Sequence, residues 1–366
     1  MQLLKSQNLY PDLFSMALEA ISLPSSTADN QQFDLYLSLN FNQQWYSLLD
    51  GRIKLALQAG QLQLRLENSE LHQINPQLDD YFGIDSESSE ATNNWTFTLE
   101  SAKLLLADSL QRIKLGTVKI LAQPFNIKAT WQICPADVSL AEAEDLWLHD
   151  LSPNKHGVLE RAIVFFCCKN QLPSSLSWVQ LGSSDVEAQD SWDKEQPKEI
   201  SLQDQETLKY LIEQIYIAKT EQISELAELA KLDLKTDLAG GNLLAANLAG
   251  IDLNGANLQK TNLRGVILND ADLSETNLRH ANLGGADLSG AYLENADLTH
   301  ANLYRASLAI ANLIGANLTH ANLQEANLSN ASFKLAKFTG AKFGKNTGLS
   351  EDIKLILEQG QAVEIS

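Results

Sequence analysis

At 366 residues with 44% hydrophobic side chains, the chain is long enough for about two domains with buried cores, which excludes a disordered protein. A net charge of −19 without any cluster of Lys and Arg excludes unaided binding to nucleic-acid phosphates or anionic lipid. There is no window of about 18 uncharged apolar residues, and the first residues lack a basic region followed by an apolar stretch, so the expectation is a cytoplasmic protein with no membrane insertion. Cys134, Cys167 and Cys168 are an odd set without metal-ligand spacing, which fits a reducing compartment.

In chain order, residues 12–22 have the apolar spacing of a short amphipathic helix ending before Pro24, and Ser25 to Gln32 reads as a polar loop. Strand patterns come next. Ile53, Leu55 and Leu57 alternate with polar residues, as do Leu62, Leu64 and Leu66, with Ala59 and Gly60 between them, which predicts a hairpin. Further alternation runs through Trp95, Phe97 and Leu99, and through Phe125, Ile127, Ala129, Trp131 and Ile133. Ser139 with Glu142 has the spacing of a capping box opening a helix to about His149, and the apolar run Ile163 to Cys168 reads as a buried strand. Residues 1–182 are therefore expected to form a β-rich α+β domain.

Residues 183–200 are acidic and polar, with Pro197, and read as a linker. Residues 201–235 contain two helical patterns, the second from about Glu221 to Leu232, placed to cover the end of a solenoid that begins at residue 236.

The solenoid is read from a period of five. From Leu238 to Phe343 every fifth residue is large and apolar, through 22 consecutive pentapeptides spanning residues 236–345. Two positions before this centre, 16 of the 22 carry Ala, the exceptions being Thr236, Gly241, Ile251, Thr261, Val266 and Thr276. One position before it, 11 carry Asn and 5 carry Asp. Five steps advance a helix by roughly 140° and take a strand to its opposite face, so neither element can turn all these centres inward. They share one core only if the chain turns a corner in each repeat. Two positions after the centre, 8 repeats have Gly and 6 have His, Asn or Asp, residues that tolerate a positive φ at such a corner. Asn or Asp before the centre can add turns of the Asx type. The inward set includes Leu258, Leu278, Leu288, Leu298, Leu318 and Phe338.

This stretch resembles the pentapeptide repeat proteins, with their A(D/N)LxX motif, over under a third of the chain. The resemblance implies a right-handed quadrilateral β-helix with four pentapeptides per coil. Residues 346–366, with Ser350 as helix N-cap and Gly360 after the helix, resemble the C-terminal cap of many pentapeptide repeat proteins of cyanobacteria.

Signatures of hydrolytic nucleophiles, catalytic metals and phosphate loops are absent, and no cofactor is expected. His149, Asp150, Lys155 and His156 with Cys167 and Cys168 form the one polar group near a thiol; the alternatives are a Cys-His pair or buried core cysteines beside a loop. His280, His300 and His320 are 20 residues apart and should stack as one column on a four-sided coil, either as a solvated ladder or as a metal site of at most two neighbouring ligands.

The family resemblance implies a non-enzymatic scaffold for protein-protein interaction. One alternative is a DNA mimic that binds gyrase, as some family members do, although the repeats hold nine acidic and eight basic residues, with Lys334, Lys337, Lys342 and Lys345 at their end. Another is an enzymatic or ligand-binding activity in residues 1–182. Tyr292, Ile310, Ile314 and Leu335 break the polar pattern of the outward positions and mark a candidate partner-binding edge; the rival is an intramolecular cover from the helix after Ser350 or from residues 362–365.

Overall fold

The structure is a computed structural model that describes residues 2–24, 31–80, 82–84, 94–99, 109–147, 151–182 and 200–365. All but the last residue of the linker expected at 183–200, residues 25–30 of the loop expected at 25–32, and His149 and Asp150 lie outside the described residues. The chain divides into two compact units, one of residues 1–144 and 166–200, the other of residues 145–165 and 201–366. This differs from a boundary at residue 182, because residues 145–165 belong with the repeats.

The first unit is built from thirteen described strands: β1 (Gln2–Asn8), β2 (Phe14–Ser22), β3 (Gln32–Phe41), β4 (Gln43–Leu48), β5 (Gly51–Leu57), β6 (Gln61–Glu67), β7 (Ser69–Ile74), β8 (Phe82–Ile84), β9 (Asn94–Leu99), β10 (Leu110–Ile120), β11 (Asn126–Gln132), β12 (Val138–Glu144) and β13 (Ser175–Gly182). They form a six-stranded sheet ordered β1-β13-β11-β6-β9-β8, a four-stranded sheet β2-β3-β10-β7 and a three-stranded sheet β12-β5-β4. Phe14 of β2 and Phe41 of β3 meet the indole of Trp131 of β11 at 5.0 and 5.9 Å, joining side chains of two sheets in one core. A Cβ on Gly60 would lie 2.5 Å from that indole, so the close approach requires glycine.

Four sequence expectations are corrected by these strands and by one helix. Residues 14–22 are strand β2 and not a helix, because Phe14, Met16 and Leu18 also fit a period of two and all nine residues pair with β3. The strands over 53–57 and 62–66 exist but are not a hairpin: β5 pairs with β4 and β12, whereas β6 pairs with β9 and β11. Residues 138–144 are strand β12, in which Ser139 donates to the carbonyl of Ala56 and Glu142 pairs with Lys54 at 2.8 Å, so cross-strand partners replace the expected cap. The run Ile163 to Cys168 lies within helix α1 (Pro153–Asn170), whose length an apolar segment of six residues does not disclose.

The second unit contains residues up to Phe165 of α1, helices α2 (Leu202–Ile217), α3 (Ile223–Ala230) and α4 (Glu351–Gln359), and the repeats. Ser350 caps α4 through its side chain, as its position before a helical pattern predicts, and Ser201 caps α2 in the same way. Through the repeats, each residue before a centre bridges in parallel to the residue 20 positions later, from Asn242↔Asn262 to Asn327↔Thr347. The chain thus stacks on itself every four pentapeptides.

Candidate interaction surface

The repeat geometry rests on the roles of its five positions. Every residue two places after a centre, from Gly240 to Lys345, has a positive φ, so each pentapeptide ends in a corner. The centres point inward: Leu258, Leu278, Leu288, Leu298 and Leu318 are fully buried, and Phe338 nearly so. Asn side chains before the centre serve two purposes. Their oxygens accept from the backbone two residues on, as in Asn302 from Tyr304 at 3.2 Å, which is an Asx turn. Their amides donate to the Asn of the preceding coil in the same column, as in Asn262 to Asn242 at 2.8 Å and Asn302 to Asn282 at 3.0 Å.

The exceptions to Ala have causes in the packing. Thr261 and Thr276 bury their hydroxyls but donate them to the carbonyls of Leu238 and Leu253 at 3.0 and 2.8 Å, so no buried group is left unpaired. Gly241 stands where a Cβ would lie 2.6 Å from Cδ of Arg161. Arg161, almost fully buried in α1, donates from Nε to the carbonyl of Asp237 at 2.8 Å.

Helix α1 is the element that sequence reasoning missed. A Cβ on Gly157 would lie 2.6 Å from Cδ2 of Leu243 and 3.0 Å from the carbonyl oxygen of Asn242, so the helix lies directly on the first coil. One turn earlier, Asn154 donates to the carbonyl of Asn247 at 2.9 Å and accepts from its N–H at 2.8 Å. A carboxamide has one donor side and one acceptor side like a peptide group, and in this position it replaces the backbone of a preceding coil. Lys155 donates to the carbonyls of Tyr216 and Ala218 at 3.3 and 2.6 Å, closing the C-terminus of α2. Two glycines carried the signal: Gly157 just before Val158 and Leu159, and Gly241 in place of Ala.

The expected partner-binding edge is exposed. Tyr292, Ile310 and Leu335 are 54%, 63% and 77% accessible, and Ile314 is half-buried. Tyr292 bridges to Asn312, which Ile310 and Ile314 flank in the chain, so these three surround one point. Leu335 stands at a corner one coil beyond Gly315. The intramolecular cover does not form: α4 ends with Gly360 against Phe338, and the short strand β15 (Val363–Glu364) pairs in parallel with β14 (Lys342–Phe343). Ile310 and Leu335 adopt φ of 54° and 63°, the left-handed region that L side chains and above all β-branched ones avoid.

The three histidines do stack, with ring centroids 5.0 and 4.9 Å apart and the first two planes 4° from parallel. The His320 ring extends over the next corner, where a Cβ on Gly340 would lie 2.3 Å from its Nδ1. Lone pairs of parallel rings run side by side, so two of these nitrogens converge on one ion only if a ring leaves the stack. Burial, then the His300 ring and the nearby Arg279 and Lys260 cations, hold His280 down to about 4, and its Nε2 is buried without a hydrogen-bond partner. Cys167 is fully buried in α1, and burial together with Cys168 pushes its thiol far up, which keeps it from serving as a thiolate nucleophile.

Similarity to known proteins falls on the repeats. The family model for pentapeptide repeats matches residues 235–270, 271–308 and 311–345, and this stretch belongs to the pentapeptide repeat family. Among solved structures the chain is similar to Rfr23, a pentapeptide repeat protein of the cyanobacterium Cyanothece 51142, at 30% identity over 30% of this chain and 91% of that one, with a TM-score of 0.27. It is similar to a pentapeptide repeat protein of the Arabidopsis thaliana thylakoid lumen at 36% identity over 31% of this chain and 74% of that one, with a TM-score of 0.23. QnrB1, a plasmid-mediated fluoroquinolone resistance protein, aligns at 17% identity over 34% of this chain and 89% of that one, with a TM-score of 0.15. No curated protein matches the chain. Among the described residues no helix is long and apolar enough to cross a membrane.

Proposed function

We propose that the protein is a non-enzymatic cytoplasmic scaffold whose repeats form a right-handed quadrilateral β-helix and dock a protein partner along the edge made by Tyr292, Ile310, Ile314 and Leu335. Ile310 carries this reading. A β-branched residue in the left-handed region costs on the order of 1–2 kcal/mol, where Gly, Asn or Asp would serve, and its side chain is 63% exposed to water. A position that is unfavourable both in conformation and in exposure is best accounted for by a contact made outside the chain. The near balance of acidic and basic residues in the repeats favours an apolar docking mode over imitation of DNA.

The test is Ile310→Gly in the full-length protein. Glycine relieves the left-handed strain, so melting should rise, by about 1 kcal/mol in stability, while affinity capture of the partner falls. If partner capture is unchanged, the docking edge lies elsewhere; if melting falls, Ile310 is held by the fold and the reading fails.

A further inference from the structure

A stack of parallel coils has an unpaired edge at its first coil, and the four sides of this coil are treated differently. Within the stack, the residue before each centre donates its N–H to the coil before, as Asp272 does to Ile251 at 2.9 Å, and its carbonyl accepts in return, as Asp272 does from Leu253 at 2.8 Å. At the first coil, the side at Asn242 is covered by α1 at Gly157, and the side at Asn247 by the Asn154 carboxamide. The side at Asn257 donates to the carbonyl of Lys235 at 2.7 Å. The fourth side, at Asp252, has no such partner: among the described residues neither its N–H nor its C=O is hydrogen-bonded to a preceding segment, and it is exposed. A groove of about 770 Å³ opens beside it, lined by Glu221, Ile223, Leu234, Leu248, Ile251 and Asp252, among others.

We infer that this open side is a binding site for an extended, basic peptide segment of a partner protein, which adds to the first coil as a parallel strand. The opposite end of the same stack shows the mode. There β15 pairs in parallel with β14, Val363 donating to Ala341 and Ile365 to Phe343, each at 2.7 Å. The chain's own tail thus closes the last coil by strand addition, and the first coil offers the same unpaired groups on one side. Charge selects the occupant. A strand in register beneath Asp252 would place one side chain about 4.8 Å below that carboxylate, with Asp272 in the same column on the other side. Glu221 stands at the rim and shares Lys155 at 3.7 Å, whereas Asp252 has no ion pair among the described residues. A Lys or Arg at the facing position completes the column, and apolar neighbours fit Ile223, Leu234 and Ile251. This site is separate from the edge at Ile310, so either can fail alone.

The probe is a fluorescent nine-residue peptide alternating Val and Lys, titrated by anisotropy into the full-length protein. Binding should weaken at least about tenfold when Glu replaces Lys, when alternate peptide nitrogens are methylated, and in the groove-filling variant Ala249→Trp. Asp252→Lys should reverse the preference to the Glu peptide. Absence of binding, indifference to methylation, or an unchanged preference in Asp252→Lys would overturn the proposal. So would self-association of the wild type that Ala249→Trp abolishes, since the occupant would then be a second copy.

Discussion

The two units use strand pairing in opposite ways. In the repeats every bridge joins residues 20 positions apart, so the same local rule recurs and each coil rests on its neighbour. In the first unit, β1 pairs with β13 so that Gln2 faces Gly182, and β11 stands between β6 and β13. Its order depends on which distant strand wins each edge. A five-residue motif can therefore specify one fold, while alternation of period two specifies only that strands exist.

The largest effects of substitution are expected in the two cores. Leu288→Asp places an unpaired carboxylate in the fully buried centre column, where burial of a polar group without a partner costs several kcal/mol. The transition belonging to the repeats should collapse while near-ultraviolet signals of the first unit persist; a melting curve like that of wild type would show that the centre does not point inward. Trp131→Ala is the counterpart in the first unit. It removes a fully buried indole packed on Phe14 and Phe41 and should cost about 3–5 kcal/mol, lowering the denaturant midpoint of that unit and leaving that of the repeats. Equal shifts of both midpoints would mean that the units unfold as one.

Gly157→Ala acts where residues 145–165 join the repeats. Its methyl would meet the Asn242 carbonyl oxygen at 3.0 Å, which is backbone and yields little, so a loss of about 1–3 kcal/mol should fall on the second unit alone. Hydrogen exchange at Leu243 and Asn247 is the readout, and unchanged protection there would remove α1 as a cap.

The smallest effect concerns pH. His280 is held below its ordinary value of 6.5, to about 4, so the folded state favours neutral imidazole and the unfolded state binds the extra proton between these values. Stability of the repeats is then fully present above about pH 6.5 and declines as pH falls toward 4. In His280→Asn, whose side chain tolerates the positive φ, this decline should shrink; an identical pH profile would place the titration elsewhere.

The legibility of each region has a physical origin. The inward Leu column, the corners at positive φ and the Asx turns could be read from residues 236–345 because each is enforced within five residues and repeated 22 times. The exposed edge at Ile310 was legible as a departure from that pattern. The thirteen strands were only partly so. Phe14 to Ser22 suits a helix or a strand until β3 offers nine partners, and Ser139 caps nothing once β5 lies beside it.

By itself the sequence determined that residues 236–345 turn a corner in every pentapeptide, since neither a helix nor a straight strand brings all the large centres to one side. Tertiary structure alone decided which end groups the resulting coil receives. Asn154, Gly157 and Arg161 lie far before the backbone they meet, at separations of 76 for Arg161 with Asp237 and 93 for Asn154 with Asn247. No local periodicity encodes a carboxamide standing in for a missing strand, because its reason exists only once the first coil has an edge to close, and the same is true of the open side at Asp252.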